Sequence, residues 1–217
     1  MRRFDTDDGN VDPIGGGTPL SGVASAVVVD NIDPTNQGRV QLELPWLPDV
    51  KPWGRVASLS GGPDRGMYFM PQVGDEVLVA FQHGDVREVY VIGSLWSSGQ
   101  KAPTKSAQDP VNRRVIVTPK GHEIELDDKG KTITVTTIDK HKIRIEPEKI
   151  EISTQGGSTK LTLGASGEIT VKADASITFE APVISVKATA SLELTAPNST
   201  LKGDASCVIK GGTVMIN

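Results

Sequence analysis

Histidine, cysteine and paired carboxylates are the side chains in this sequence that could carry out chemistry. The three histidines, His83, His122 and His141, could in principle ligate a metal or exchange protons. None belongs to an HxH, HExxH or cysteine-rich set. His83 lies in a predicted hairpin turn, His122 follows Gly121 at a predicted strand start, and His141 lies between two lysines. We therefore predict a structural surface role for each histidine, with no metal site and no cofactor.

The remaining reactive groups also favour structural roles. Cys207 is the one cysteine, so it cannot form a disulfide within the chain, and its alternation with Ile209 predicts a packed thiol. The pairs Asp75-Glu76 and Asp127-Asp128 would suit glycoside hydrolysis, but their neighbours predict solvated turns. The glycine-rich stretch 61–66 lacks the Lys-Ser/Thr of a phosphate loop. No catalytic residue is predicted, and we expect a protein that is not an enzyme.

Composition indicates short strands and tight turns. Aromatic residues make up 4% of the 217 residues, whereas Gly (23) and Pro (14) are plentiful. The net charge of −4 argues against a nucleic-acid partner, and no apolar run is long enough for a membrane helix. Residues 1–21 are polar and lack the apolar core of a secretory signal. They are predicted to be a flexible N-terminal arm, or an arm that orders on a neighbouring subunit.

Residues 22–98 have the pattern of a small β-barrel. Five short segments rich in β-branched residues are separated by Pro, Gly and Asp. Five such strands without a helical pattern predict a closed barrel of the oligonucleotide/oligosaccharide-binding (OB) type. A polar linker is predicted over 97–114. The predicted strands cover residues 24–29, 39–44, 54–59, 76–81 and 88–95.

Residues 115–217 alternate apolar and polar positions, so each strand has one dry and one wet face. From Leu161 onward the apolar pairs recur in steps of seven or eight residues, with small or turn-forming residues between them. Such an internal repeat is typical of a stacked architecture. Each repeat is too short to enclose a core within one chain, and a lone chain would leave its apolar face in water.

Three chains wound together would bury these faces on a common axis, with each strand paired to a strand of another chain. The sequence thus predicts an all-β homotrimer, in which the barrel is followed by an intertwined triple-stranded β-helix, or β-prism, over 115–217. The predicted trimer core consists of Leu161, Leu163, Ile169, Val171, Ile177, Phe179, Ile184, Val186, Leu192, Leu194, Leu201, Cys207 and Ile209.

The barrel region resembles a known family. Residues 38–40 (GRV), 44–46 (LPW), 53–56 (WGRV), 71–81 (PQVGDEVLVAF) and 91–96 (VIGSLW) carry the resemblance. In order and spacing they are similar to the barrel shared by the valine–glycine-repeat (VgrG) spikes of type VI secretion and the phage baseplate assembly protein V spikes. The repeat after it is similar to the triple-stranded β-helix of the same family.

This resemblance implies a central spike of a contractile injection system or phage tail, which pierces a target membrane when the sheath contracts. Because only about 21 residues precede the barrel, it implies a separate hub protein of the phage-tail type, beside baseplate and inner tube proteins. A conical tip protein with Pro-Ala-Ala-Arg (PAAR) repeats would sit on the far end of the needle. The predicted tip-binding residues are Thr213, Val214, Met215, Ile216 and Asn217.

The resemblance further implies assembly in the bacterial cytoplasm and a virion-associated or extracellular location on deployment. It leaves open whether the machine is a phage tail, an extracellular injection system or a type VI system. Two other functions stay open from the residues. A β-helical phage-tail polysaccharide hydrolase or lyase would need a carboxylate cluster in a groove. A nucleic-acid-binding barrel with a trimerising tail would show salt-dependent binding.

Overall fold

The computed structural model describes residues 22–104 and 111–215 of the chain. Every regular element in these ranges is a β-strand, apart from two single-turn 3₁₀ segments at Gln82–Gly84 and Gln155–Gly157. The fold class predicted from the sequence, all-β with a closed barrel first, is confirmed. The predicted arm over residues 1–21 lies outside the described residues.

Five strands close the barrel in the order β1-β2-β3-β7-β6. Strand β3 runs parallel to β7, and the other neighbours are antiparallel, which is an OB-like arrangement. A two-residue hairpin, β4–β5, projects from the connection between β3 and β6. The strands are β1 (Val23–Asp30), β2 (Arg39–Glu43), β3 (Trp53–Val56), β4 (Gly61–Gly62), β5 (Arg65–Gly66), β6 (Glu76–Phe81) and β7 (Val89–Ser94).

The barrel core follows directly from the alternation in its strands. Alternate side chains of β1, β2, β6 and β7 point inward and are almost fully buried. Gly54 keeps the core tight, because a Cβ at this position would lie 2.9 Å from Leu42 Cδ1. The core residues are Ala26, Val28, Val40, Leu42, Leu44, Val77, Val79, Val89 and Val91.

A seven-stranded sheet follows, in the order of the chain from β8 to β14. Its strands are β8 (Arg113–Val117), β9 (Glu123–Asp127), β10 (Thr132–Thr136), β11 (Lys142–Ile145), β12 (Lys149–Ser153), β13 (Lys160–Gly164) and β14 (Ile169–Lys172). From β10 onward each strand pairs antiparallel with the next strand of the same chain. The expectation that strands from residue 115 onward pair with other chains is therefore wrong for this sheet.

Tight turns explain this difference. The reversals between the strands contain residues with positive φ, among them Gly121, Lys131, Lys140 and Gly167. Such residues let a chain fold straight back and pair with itself. Among the described residues no positive φ occurs after Gly167, and residues 173–215 form no strand. The chain beyond β14 is thus a long run that does not pair with itself, and we call residues 174–215 the terminal run.

Candidate assembly surface

One face of the sheet is a continuous apolar surface. Ile133, Ile145, Ile150, Leu163 and Ile169 stand opposite one another from strand to strand in one row. A second row lies beside it and consists of Val135, Ile143, Ile152, Leu161 and Val171. We call these ten residues the apolar ladder. Their alternation puts all of them on the same side of the sheet.

The apolar ladder is substantially open to water in the single chain. On β10, β11 and β12 the exposed fractions of its residues run from 36% at Val135 to 45% at Ile152. Contiguous exposed apolar surface of this kind marks an interaction site in a soluble protein. Fully burying one such side chain contributes about 1.5–3 kcal/mol. The ladder is therefore a surface that gains stability when a partner covers it.

The opposite face of the sheet is charged and is satisfied within the chain. Glu151 accepts from Lys149 and Lys160, each at 3.5 Å, and Arg144 Nε lies 2.6 Å from a carboxylate oxygen of Glu146. Burial acts to raise the pKa of Glu151, but the charges of Lys149 and Lys160 outweigh it and keep the pKa below its usual value. The sheet therefore has one apolar face and one charged face whose ion pairs form within the chain.

The terminal run carries most of the predicted trimer core. Every residue from Asp174 to Met215 is exposed, and the large apolar side chains at alternate positions are exposed with the rest. Phe179, for example, is 75% exposed. Among the predicted core residues, Leu161, Leu163, Ile169 and Val171 belong to the apolar ladder. The terminal run holds the others, Ile177, Phe179, Ile184, Val186, Leu192, Leu194, Leu201, Cys207 and Ile209.

The predicted tip-binding residues lie at the end of the terminal run. Thr213, Val214 and Met215 are exposed, and Val214 continues the apolar alternation. Ile216 and Asn217 lie outside the described residues. The part of the site that is described is thus a small exposed apolar patch.

The barrel carries its charges in paired, preorganised groups. The Asp33 carboxylate accepts from the backbone N–H groups of Thr35 and Gln37 and from the Arg39 guanidinium, whose Nη2 lies at 2.9 Å. Hydrogen bonding by Arg39 holds the pKa of Asp33 far below its usual range. In the same way, hydrogen bonding by Arg87 lowers the pKa of Asp85 to about 2. Each of these two pairs fixes a loop of the barrel.

The residues considered for chemistry have structural surroundings. An Asp75 carboxylate oxygen accepts from Gln72 N–H at 2.8 Å, and Asp128 pairs with Arg114 at 2.8 Å, so both belong to turn contacts. His83 adopts a positive φ in a 3₁₀ turn, and the glycine-rich stretch forms the β4–β5 hairpin. In the described parts of the chain, no three His, Cys, Asp or Glu side chains are grouped to hold a metal ion.

Two features were not predicted from the sequence. The connection after β3 exposes Leu59, Tyr68 and Phe69 to water. Ser58 Oγ lies within hydrogen-bond distance of the carbonyl oxygens of Ser60 and Met67 and so holds the base of the projecting hairpin. The second feature is a repeated Thr-x-x-x-His pattern at residues 118–122 and 137–141. Its 19-residue spacing is visible in the sequence, but it was obscured by the stronger apolar alternation.

The closed five-stranded barrel is of the OB type, and the seven-stranded sheet and the terminal run follow it in the chain. Residues 24–96 match the family model described as the type VI secretion system/phage-baseplate injector OB domain. The match covers the barrel, supports the resemblance to the baseplate assembly protein V spikes, and does not single out the VgrG spikes. No curated protein matches the chain.

The matched domain suggests a structural role in a baseplate or injector. None of the described residues form a helix that is long and apolar enough to cross a membrane.

Proposed function

We propose that this protein is the central spike of a contractile injection machine or phage tail baseplate. Three copies assemble through the apolar ladder and the terminal run, and the resulting needle pierces a target membrane when the sheath contracts. The barrel seats the trimer on a hub protein, next to baseplate and inner tube proteins. The protein assembles in the bacterial cytoplasm and becomes virion-associated or extracellular on deployment.

The terminal run is the observation that carries this proposal. Residues 174–215 alternate apolar and polar side chains as a strand does, yet they form no strand pairing with any described part of their own chain. Unpaired extended segments recruit other strands, and apolar side chains on one face favour burial against a partner. Copies of the same chain offer both the missing backbone partners and the matching apolar face.

The polar positions of the terminal run support a needle that passes through a membrane without residing in it. Thr178, Glu180, Ser185, Lys187 and Glu193 alternate with the apolar core positions and would face outward in the trimer. A sheet that resides in a bilayer carries an apolar band on its outer face. Strands held on both sides by other chains resist unfolding, since leaving the needle would break two sets of hydrogen bonds.

The proposal also includes a binding surface for the tip protein at the end of the needle. Val214 and Met215 from three chains would form an apolar platform on which a conical PAAR-repeat protein docks. The support for this is the exposure of both side chains and the continuation of the apolar alternation through Val214. In this arrangement the tip protein covers the strand ends of the needle.

The oligomeric state tests the proposal. Static light scattering of the full-length protein should report three times the 23.0 kDa of one chain, or about 69 kDa. The trimer should persist on dilution, because the terminal run has no folded monomeric alternative that buries its apolar positions. A well-folded species at the mass of one chain would contradict the proposal.

A further inference from the structure

Three turns lie next to one another at one edge of the sheet, where the strands end. In each of them a threonine N–H donates to a backbone carbonyl across the turn. In the first, Thr118 N–H donates to the His122 carbonyl at 2.9 Å, and His122 N–H returns to Thr118 Oγ1 at 3.0 Å. The second repeats both bonds between Thr137 and His141, at 2.9 Å and 3.1 Å. In the third, which has no histidine, Thr154 N–H donates to the Thr159 carbonyl at 3.1 Å, and Thr154 Oγ1 donates to the same carbonyl at 3.3 Å.

The two imidazoles connect these turns to one another. Ile138 N–H, in the second turn, donates to His122 Nδ1 at 3.3 Å. Gln155 N–H, in the third turn, donates to His141 Nδ1 at 3.2 Å. A backbone N–H can donate only to a ring nitrogen without a proton, so each of these bonds requires an unprotonated Nδ1. Each histidine thus bridges two hairpin turns.

The terminal run leaves the sheet at this same edge, where the histidines bridge the turns. Strand β14 runs antiparallel to β13 and ends at Lys172, opposite Lys160 and next to the third turn. His141, Thr154 and Thr159 line a groove together with Ala173, Ser176 and Ile177 at this exit. The row of bridged turns therefore forms the base on which the terminal run begins.

We propose that His122 and His141 form a pH-sensitive lock for this edge, closed when the imidazoles are neutral and released when they are protonated. An imidazolium has an N–H on both ring nitrogens and cannot accept a hydrogen bond. Ile138 N–H and Gln155 N–H would then each point at another donor and lose their partner. Histidine is the side chain whose charge ordinarily changes between about pH 5 and pH 8.

The charged groups of the turns and strand ends at this edge are Lys120, Glu123, Asp139, Lys140, Lys142, Lys160, Lys172 and Asp174. Because protonation removes both bridging hydrogen bonds, acidification should loosen the base of the terminal run. The barrel, whose core has no buried polar residue among those described, should stay closed.

Hydrogen exchange on the full-length protein tests the lock. Peptides that cover residues 136–142 and 153–159 would be followed by mass spectrometry at about pH 8 and about pH 5, after correction for the intrinsic exchange rate. In the wild-type protein the protection of these peptides should fall about fivefold or more on acidification, the factor expected when a hydrogen bond is lost. Equal protection at both pH values would overturn the proposal.

Matched variants distinguish the loss of the two histidine hydrogen bonds from a general loss of stability in acid. In His122→Asn/His141→Asn, the amide oxygen takes the place of Nδ1 and accepts at either pH, so protection should be independent of pH. In His122→Ala/His141→Ala, protection should be low at both pH values. His83→Asn, at a histidine of the barrel that bridges no turns, should behave as wild type. A wild-type pH response in the double Asn variant would also overturn the proposal.

Discussion

Phe179→Asp should prevent assembly of the trimer while leaving the barrel folded. In the proposed needle, Phe179 is the largest inward residue of the repeats and occurs three times near the axis. Three aspartates there would be unpaired like charges in a dry core, and burying each costs several kcal/mol. Size-exclusion chromatography with light scattering should show the trimer replaced by dissociated or aggregated chains.

Lys187→Asp is the matched control for this substitution. Lys187 lies at an outward position in the same run, so a carboxylate there stays in water, and surface substitutions of this kind change stability by about 0.5 kcal/mol or less. The variant should remain a trimer. If both variants assembled, or if both failed to assemble, the assignment of inward and outward positions would be wrong.

Removal of residues 213–217 should abolish binding of the cognate PAAR-repeat tip protein without dissociating the trimer. The core positions up to Ile209 remain in a chain that ends at Gly212, so the needle should still assemble. The apolar platform of Val214 and Met215 is lost, and with it the area that the tip protein would cover. A pull-down with tagged tip protein should retain the full-length spike and not the shortened one.

Two point variants refine the experiment on the tip. Val214→Asp should weaken retention as the truncation does, because it places three carboxylates on the platform. Val208→Asp, at an outward position of the same run, should not. Equal retention of the full-length and shortened chains would place the tip-binding surface elsewhere on the spike.

The barrel was predictable from the sequence because its strands alternate strictly and are bounded by turn residues. The segment 24–29 was predicted and β1 extends over Val23–Asp30, and the other four strands were found at the predicted places. The prediction for β3 ran on to residue 59, whereas the strand ends at Val56. The Ser58 hydroxyl folds the chain back there, a side chain–backbone contact that strand propensity does not reveal.

At the start of the predicted linker, the Gln100 side chain fixes the position of the chain. Gln100 lies in the segment predicted as linker, yet its amide nitrogen donates to the Gly74 carbonyl and its amide oxygen accepts from Glu76 N–H. These bonds tie the segment to the loop before β6. Composition identifies a polar segment, but a long-range pairing of this kind depends on the folded barrel.

The boundary between the sheet and the terminal run was not predictable from alternation alone. Both segments alternate apolar and polar residues, and the step from Leu161 to Ile169 has the same length as steps further on. Turn chemistry distinguishes them. Gly167 takes a positive φ and lets β14 fold back on β13, while the small residues after Lys172 adopt no such conformation. The corners of the terminal run also contain glycines, Gly203, Gly211 and Gly212, so residue type alone does not separate the two segments.

The reactivity of Cys207 tests the central claim most directly. The chain has one cysteine, and in a single chain its thiol is exposed. In the proposed trimer it lies at an inward position beside Ile209, where water and reagents are excluded. With a chromogenic disulfide reagent, the native protein should react slowly, and denaturant should release one reactive thiol per chain. Immediate reaction of one thiol per native chain would contradict an intertwined needle.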